Sequence, residues 1–128
     1  MLDTNAVSHL IRGNRKLTAR VARTSLTQLA ISTVTEGELR FGLALRPEST
    51  RLHAVVGEFL RAVQSLPWDS AVALTYGALR AQLQKSGRML APLDLLITAH
   101  AMTLEATLIT NDGAIRQVQG LKSEDWST

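Results

Sequence analysis

Four acidic residues stand where distant segments of this chain could bring their side chains together around a cation. Each either follows a short apolar run or falls in the first turns of a predicted helix: Asp3, Glu38, Asp94 and Asp112. Four like charges in one cleft repel each other at neutral pH, and a bound divalent cation is the usual means of holding them there. The sequence therefore predicts a site for one or two Mg²⁺ or Mn²⁺ ions.

Each acid also has a simpler structural explanation. Thr35 and Glu38 have the spacing of a capping box, which taken alone favours capping. Asp94 follows Pro92 in a first helical turn, where an acid stabilises the helix dipole. Asp3 and Asp112 are typical of helix caps or turns. These explanations do not predict that all four acids should share one end of a sheet.

Strand-like and helix-like patterns alternate along the whole chain. They predict an α/β fold, a single domain over residues 1–128 with a central, mostly parallel sheet covered on both faces. We expect about four or five short strands and about seven helices. Ligands bind outside the carboxyl ends of the strands in such sheets, where the strand-to-helix turns lie.

Several element boundaries follow from local signals. Met1 and Leu2 form a very short first strand, and residues 15–26 form a second helix whose inward side includes Leu26. A third helix begins near Thr35, a later one spans residues 93–103, and residues 121–126 form an edge strand.

Composition narrows the function classes. The chain has 128 residues, of which 45% are hydrophobic, and no cysteine, which excludes disulfides, zinc–thiolate sites and thiol nucleophiles. No apolar run approaches the ~18 residues of a membrane span, and the N-terminus does not have the pattern of a signal peptide. We therefore expect a cytoplasmic protein with no membrane partner.

The net charge is only +3, but its distribution is uneven. No acid lies between Asp3 and Glu36, whereas five cations do, and we call these five the basic arm: Arg12, Arg15, Lys16, Arg20 and Arg23. Arginine binds phosphate with two parallel hydrogen bonds, so an RNA partner is plausible beside an acidic metal site. The alternative is a solvated helix face that only keeps the protein in solution.

The histidines point to no other catalytic class. His9, His53 and His100 are widely spaced and form no H-E-x-x-H pair, and no serine lies in a nucleophile-elbow motif. Zinc-hydrolase and serine-triad mechanisms are therefore disfavoured, and each histidine is interpreted as a core or surface residue.

The acids lie in four segments that together resemble the motifs of a known protein family. These are M-L-D-T-N, I-S-T-V-T-E-G-E-L-R-F-G, G-R-M-L-A-P-L-D-L-L-I-T-A-H-A, and L-I-T-N-D followed by G-L-K-S-E-D-W. In this order, and over nearly the whole chain, they resemble the PIN-domain family, and more narrowly the VapC-type toxin ribonucleases of type II toxin–antitoxin systems. Family members usually have several apolar residues before the first aspartate, whereas Asp3 is preceded here by Met1 and Leu2 alone.

The resemblance implies a role for each matching residue. Asp3 corresponds to the first metal-binding aspartate, with Thr4 and Asn5 in support, and Glu38 corresponds to the glutamate of the E-L-x-[YF]-G motif. Asp94 matches the aspartate of P-x-D. Asp112 matches a position that is aspartate or asparagine in the family, beside Thr110 and the weaker contributor Asn111. Glu36 is then only a neighbour.

The same resemblance implies a function. We expect magnesium-dependent hydrolysis of phosphodiester bonds in structured RNA, with transfer RNA the leading substrate class. A VapB-type antitoxin would lie in the acidic groove, and a homodimer would form through helices near residues 35–65. Two alternatives stay open: a PIN-like module that binds RNA or protein without cutting, and a metal-dependent phosphatase of small phosphoesters.

Overall fold

A computed structural model, which describes residues 1–128, shows a parallel sheet between two groups of helices. The strands are short: β1 (Ala30–Ser32), β2 (Gln64–Leu66), β3 (Leu108–Ile109) and β4 (Ser123–Glu124). The seven α-helices are α1 (Thr4–Ile11), α2 (Arg15–Ala22), α3 (Thr33–Leu45), α4 (Thr50–Ala62), α5 (Ser70–Lys85), α6 (Pro92–Thr103) and α7 (Gly113–Arg116). This confirms the predicted α/β class and the expected number of helices.

Leu2 joins two pairs of strands into one sheet. β1 pairs with β2 and β3 with β4, both in parallel. Leu2 lies between the pairs, because its N–H donates to the Ala30 carbonyl at 2.9 Å and it forms a parallel bridge with Ile109. The spatial order is therefore β2, β1, Leu2, β3, β4, with every carboxyl end at the same edge.

The first strand is short but firmly held. The Ile109 N–H donates to the Met1 carbonyl at 2.7 Å, and the Asp3 N–H donates to the Ile109 carbonyl at 3.1 Å. Leu2 is completely buried. Hydrogen bonds on both sides and burial of one leucine thus fix the backbone that carries Asp3, although the strand contains so few residues.

The core lies on both faces of the sheet, because successive side chains of a strand point to opposite faces. On one face, Leu2, Ile31 and Ile109 pack against residues of α1 to α4. On the other, Met1 and Leu108 pack against α6 and α7, next to a cluster between α5 and α6. Neighbouring residues of one strand therefore anchor opposite helical layers.

Two predicted boundaries were wrong. The second helix ends at Ala22 rather than at residue 26, and Leu26 lies in a 3₁₀ turn with 55% of its surface exposed. The third helix begins at Thr33, two residues earlier than expected, because the Ser32 hydroxyl accepts the Val34 N–H and caps it. None of the helices has the length and apolar character needed to cross a membrane.

Candidate metal and catalytic site

The four predicted acids approach one another at the carboxyl edge of the sheet. Asp3 follows Leu2 directly, Asp112 follows β3 after a two-residue turn, Glu38 lies on α3 after β1, and Asp94 lies in the first turn of α6. The carboxylates of Asp112, Asp3 and Glu38 all act on the charge of Asp94. Segments that are far apart in the sequence thus bring their acids within electrostatic range.

Asp3 is a buried acid whose backbone position is fixed. The residue is 2% exposed, and Oδ1 accepts the Ala6 N–H at 2.7 Å, which caps α1. Burial raises the pKa of Asp3 above the ordinary aspartate range, while hydrogen bonds from Thr110 and Ala6 oppose that rise. The capping explanation is therefore correct, and the cap also sets the direction of the carboxylate.

Glu38 is held by α1 rather than by its own helix terminus. The Thr4 hydroxyl donates to Oε1 of Glu38 at 2.6 Å and also lies 3.2 Å from the Thr35 hydroxyl. Because α3 is capped by Ser32, Thr35 is already inside the helix and the capping-box explanation for Glu38 is wrong. Glu36, in contrast, accepts hydrogen bonds from Arg40 and Ser65.

Asp94 is the least satisfied of the four acids. No protein donor forms a hydrogen bond with its carboxylate, and α6 begins without a side-chain cap at Ala91. Partial burial raises the pKa of Asp94, and the carboxylates of Asp112, Asp3 and Glu38 raise it further. A carboxylate in this setting is stabilised by a nearby positive charge.

Asp112 and Thr110 connect β3 to the site. Oδ1 of Asp112 accepts the Ala114 and Ile115 N–H groups at 2.8 and 3.1 Å, so this acid caps α7 as Asp3 caps α1. The Thr110 hydroxyl accepts the Asp112 N–H at 3.1 Å and also interacts with Asp3. Asn5 and Asn111 are exposed and form no hydrogen bond with the four acids.

The arrangement supplies oxygen donors without forming a closed cage. No three acidic or histidine side chains are already positioned to enclose a metal ion by themselves. Mg²⁺ commonly keeps several of its waters and is bound through one or two carboxylates, so it does not require such a cage. The all-oxygen donor set and the unsatisfied Asp94 fit a hydrated Mg²⁺ or Mn²⁺ ion.

The basic arm divides between two environments. Arg12 lies beside the site, in a groove of about 550 Å³ that also includes Thr4 and Glu38. Arg20 instead forms an ion pair with Glu124 at 3.2 Å and stacks over the Trp126 ring at 4.7 Å. The other three members of the basic arm are exposed and form no ion pair with any acid: Arg15, Lys16 and Arg23. Of the basic arm, Arg12 thus lies beside the acids, whereas Arg20 is engaged by Glu124 and Trp126.

Sequence reasoning did not anticipate the placement of two histidines. His9 lies near enough to Asp3 for its charge to favour the ionised carboxylate. His100 is buried, and its Nδ1 lies 2.8 Å from the hydroxyl of Ser32, the cap of α3. His9 lies on the helix that Asp3 opens, which was a weak sequence signal, whereas nothing in the sequence linked His100 to Ser32.

Residues 1–121 match the family model described as PIN domain. The chain therefore belongs to the PIN-domain family, the class that its fold and acidic edge also indicate. A relative from Shigella flexneri, named tRNA(fMet)-specific endonuclease VapC, is 35% identical, with 99% of this chain and 97% of the relative covered. This likeness spans both proteins almost completely and confirms the resemblance to the VapC-type proteins.

Solved structures agree with this placement. The DNA-bound VapBC of Salmonella typhimurium aligns with a TM-score of 0.91 at 28% identity, covering 98% of this chain and 96% of that chain. VapBC2 of Rickettsia felis, bound to a DNA fragment from its promoter, aligns with a TM-score of 0.89 at 26% identity, covering 98% and 97%. Both are DNA-bound VapBC assemblies, and this chain aligns over almost the whole length of one chain in each.

Proposed function

We propose that this chain is a metal-dependent endoribonuclease toxin that hydrolyses phosphodiester bonds in structured RNA. The observation that carries the proposal is the convergence of four carboxylates at one sheet edge, with Asp94 left unsatisfied among them. Asp3, Glu38, Asp94 and Asp112 would hold Mg²⁺ or Mn²⁺. The cation would supply Lewis-acid chemistry, making water more acidic and neutralising charge on phosphate oxygens.

The remaining polar residues would position these acids. Thr4 holds Glu38 through its 2.6 Å hydrogen bond, and the Thr110 hydroxyl accepts the Asp112 N–H and interacts with Asp3. Hydrogen bonds of this kind orient metal ligands and commonly change activity about 10–100-fold when removed. No serine, cysteine or histidine nucleophile is needed, because water is the attacking group.

Transfer RNA is the substrate class we favour. The Shigella flexneri relative is named for tRNA(fMet). In this chain Arg12 stands at the acidic groove, where a phosphate contact would position an RNA backbone without reading its sequence. Selection among RNAs would then depend on shape, and the activity belongs to the cytoplasm, where tRNA is found.

Incubation with total RNA tests the activity. The wild-type chain should cut RNA with Mg²⁺, and EDTA or Asp94→Ala should abolish cutting while RNA binding persists. Glu38→Gln should reduce the rate about 100-fold, since a displaced ligand carries a cost of that order.

Glu36→Gln is the matched control for Glu38→Gln. Glu36 lies on the same helix but pairs with Arg40 and Ser65, so this variant should cut at the wild-type rate. Equal losses in both variants would contradict the assigned site. RNA binding without cleavage by the wild-type chain would favour the non-cutting PIN-like module instead.

A VapB-type antitoxin is the proposed protein partner. The groove that begins at Thr4 and Glu38 continues along apolar side chains that include Phe41 and Leu45, each 65% exposed, and it carries Arg12 and Arg46. An amphipathic segment with acidic residues would complement this surface. Co-expression of the adjacent reading frame should relieve growth arrest caused by this chain, and no arrest by the chain alone would count against toxicity.

Copurification locates the antitoxin contact. Phe41→Asp should release the antitoxin, because it places a charge among apolar groove residues. Leu74→Asp is the control, since Leu74 is 80% exposed on α5 and does not line the groove. Retention of the antitoxin by Phe41→Asp would place the contact elsewhere.

A homodimer through helices near residues 35–65 is also proposed. Phe41 and Leu45 are the large apolar side chains exposed in that range. Light scattering in the absence of antitoxin tests the proposed dimer. It compares the mass of the wild type with the masses of Phe41→Asp and Leu74→Asp. Dissociation caused by Phe41→Asp supports this placement, whereas dissociation caused only by Leu74→Asp would move the interface to α5.

A further inference from the structure

A second cavity, outside the acidic site, lies between α5 and the segment that leads into α6. Its volume is about 210 Å³, and Tyr76, Arg80 and Gln84 line it from one face of α5. Arg88, Met89 and Pro92 close it from the other side. None of its nine lining residues is acidic, so the cavity carries the charge of two arginines.

The arginines of this cavity are available to an anion. Arg20 and Arg40 form the chain's ion pairs, and neither Arg80 nor Arg88 does. Arg80 Nη1 donates to the Tyr76 hydroxyl at 2.9 Å, and its Cζ lies 6.0 Å from the centroid of that ring. Arg88 has only a long contact, 3.5 Å, to the Gln117 carbonyl. Both guanidinium groups therefore keep free donors.

The cavity is linked to the helix that carries Asp94 through Tyr76 and Trp68. The Trp68 indole N–H donates to the Leu96 carbonyl of α6 at 3.0 Å, and the Trp68 and Tyr76 rings meet edge to face at 5.8 Å and 72°. Pro92, a wall residue, lies in the same first turn as Asp94. A molecule held in the cavity would therefore lie next to the turn that carries Asp94.

We propose that this cavity binds a nucleotide that flanks the cleaved bond of an RNA substrate. The base would lie against Tyr76, Arg80 and the 87% exposed side chain of Met89, while Arg88 would hold the adjacent phosphate. Aromatic and guanidinium planes stack on any base, and guanidinium forks bind phosphate. The inference rests on the proposed ribonuclease function and adds a subsite for RNA flanking its acidic centre.

Fluorescence anisotropy tests the subsite. It measures the affinity for a short randomised single-stranded RNA at a series of salt concentrations. Tyr76→Leu and Arg80→Gln should each weaken binding about tenfold, as loss of a stacking partner does. Arg88→Gln should lower the slope of log affinity against log salt by about 1, as loss of one phosphate contact does. Arg61→Gln, on α4 away from the cavity, is the control and should change neither quantity.

Single-turnover cleavage separates this inference from the proposed function. If the wild type cuts RNA while the cavity variants bind and cut like Arg61→Gln, the subsite is overturned and the ribonuclease stands. If the wild type binds but does not cut, the ribonuclease fails and with it the placement beside a cleaved bond, while weaker binding by the cavity variants still shows that the cavity binds a nucleotide.

A measurement on the wild-type protein tests the subsite even if the variants misfold. Phenylglyoxal labelling followed by mass spectrometry should show Arg80 and Arg88 protected by RNA while Arg61 stays reactive. Protection by a copurified antitoxin but not by RNA would overturn the proposal and assign the cavity to a protein partner.

Discussion

At the scale of single residues, structural and catalytic explanations of the acids are compatible. Asp3 and Asp112 each cap a helix through Oδ1, and that hydrogen bond aims the carboxylate toward the site. Asp94 has no such bond, and partial burial together with three other carboxylates raises its pKa. The protein thus keeps a carboxylate in an unfavourable position, as functional sites often do.

Asp94→Asn should stabilise the metal-free protein. Removing one of four repelling charges is expected to raise the free energy of unfolding by about 0.5–1 kcal/mol while cleavage is lost. Thermal melts without metal measure the gain. Millimolar Mg²⁺ should raise the melting temperature of the wild type but not that of the variant, because a ligand stabilises only the state that binds it. A less stable variant would show that Asp94 contributes favourable contacts in the free protein.

At the scale of elements, the site depends on contacts between helices that follow different strands. The Thr4 hydroxyl links the first turn of α1 to Glu38 on α3. The strand before Thr4 is held by hydrogen bonds on both sides, so α1 begins from a fixed point. The position of Glu38 is therefore a property of two helices rather than one.

Thr4→Val should slow cleavage with little loss of stability. The substitution keeps the side-chain shape but removes the hydrogen bond to Glu38, and we expect a rate reduction of about 10–100-fold. Single-turnover kinetics at saturating Mg²⁺ measure the effect. Thr18→Val is the control, since the Thr18 hydroxyl bonds only to the Asn14 carbonyl of its own helix. A wild-type rate for Thr4→Val would show that Glu38 does not need this partner.

At the scale of the whole molecule, His100 and Ser32 tie the halves of the chain together. His100 on α6 is 1% exposed and meets the cap of α3 across 68 residues of sequence. Burial lowers the pKa of His100, and the charge of Asp69 opposes this only in part. The folded protein therefore favours the neutral imidazole.

Acid should destabilise the fold through His100. Since the folded pKa is lowered, the unfolded chain takes up a proton first, and stability falls as pH drops below about 6.5. Chemical denaturation between about pH 7 and pH 5 should show this slope, and His100→Gln should flatten it by up to about 1.4 kcal/mol per pH unit. His53→Gln, at an exposed position, should keep the slope. An unchanged slope in His100→Gln would mean that other groups cause the acid sensitivity.

The sequence alone determined the α/β class, the number of helices and the four candidate acids. The periodicity of apolar residues and the position of each acid beside a strand or helix are local signals. Pro92 and the residues after it placed α6 within one residue of its observed bounds. The sequence did not reveal that Thr4 holds Glu38, that His100 meets Ser32, or that Tyr76, Arg80 and Arg88 share a cavity. Only the tertiary structure decided these contacts, because each joins groups whose distance depends on how helices pack against the sheet. The end of α2 and the cap of α3 were misjudged for a related reason, since Thr24 and Ser32 make local hydrogen bonds that compete with the helical pattern.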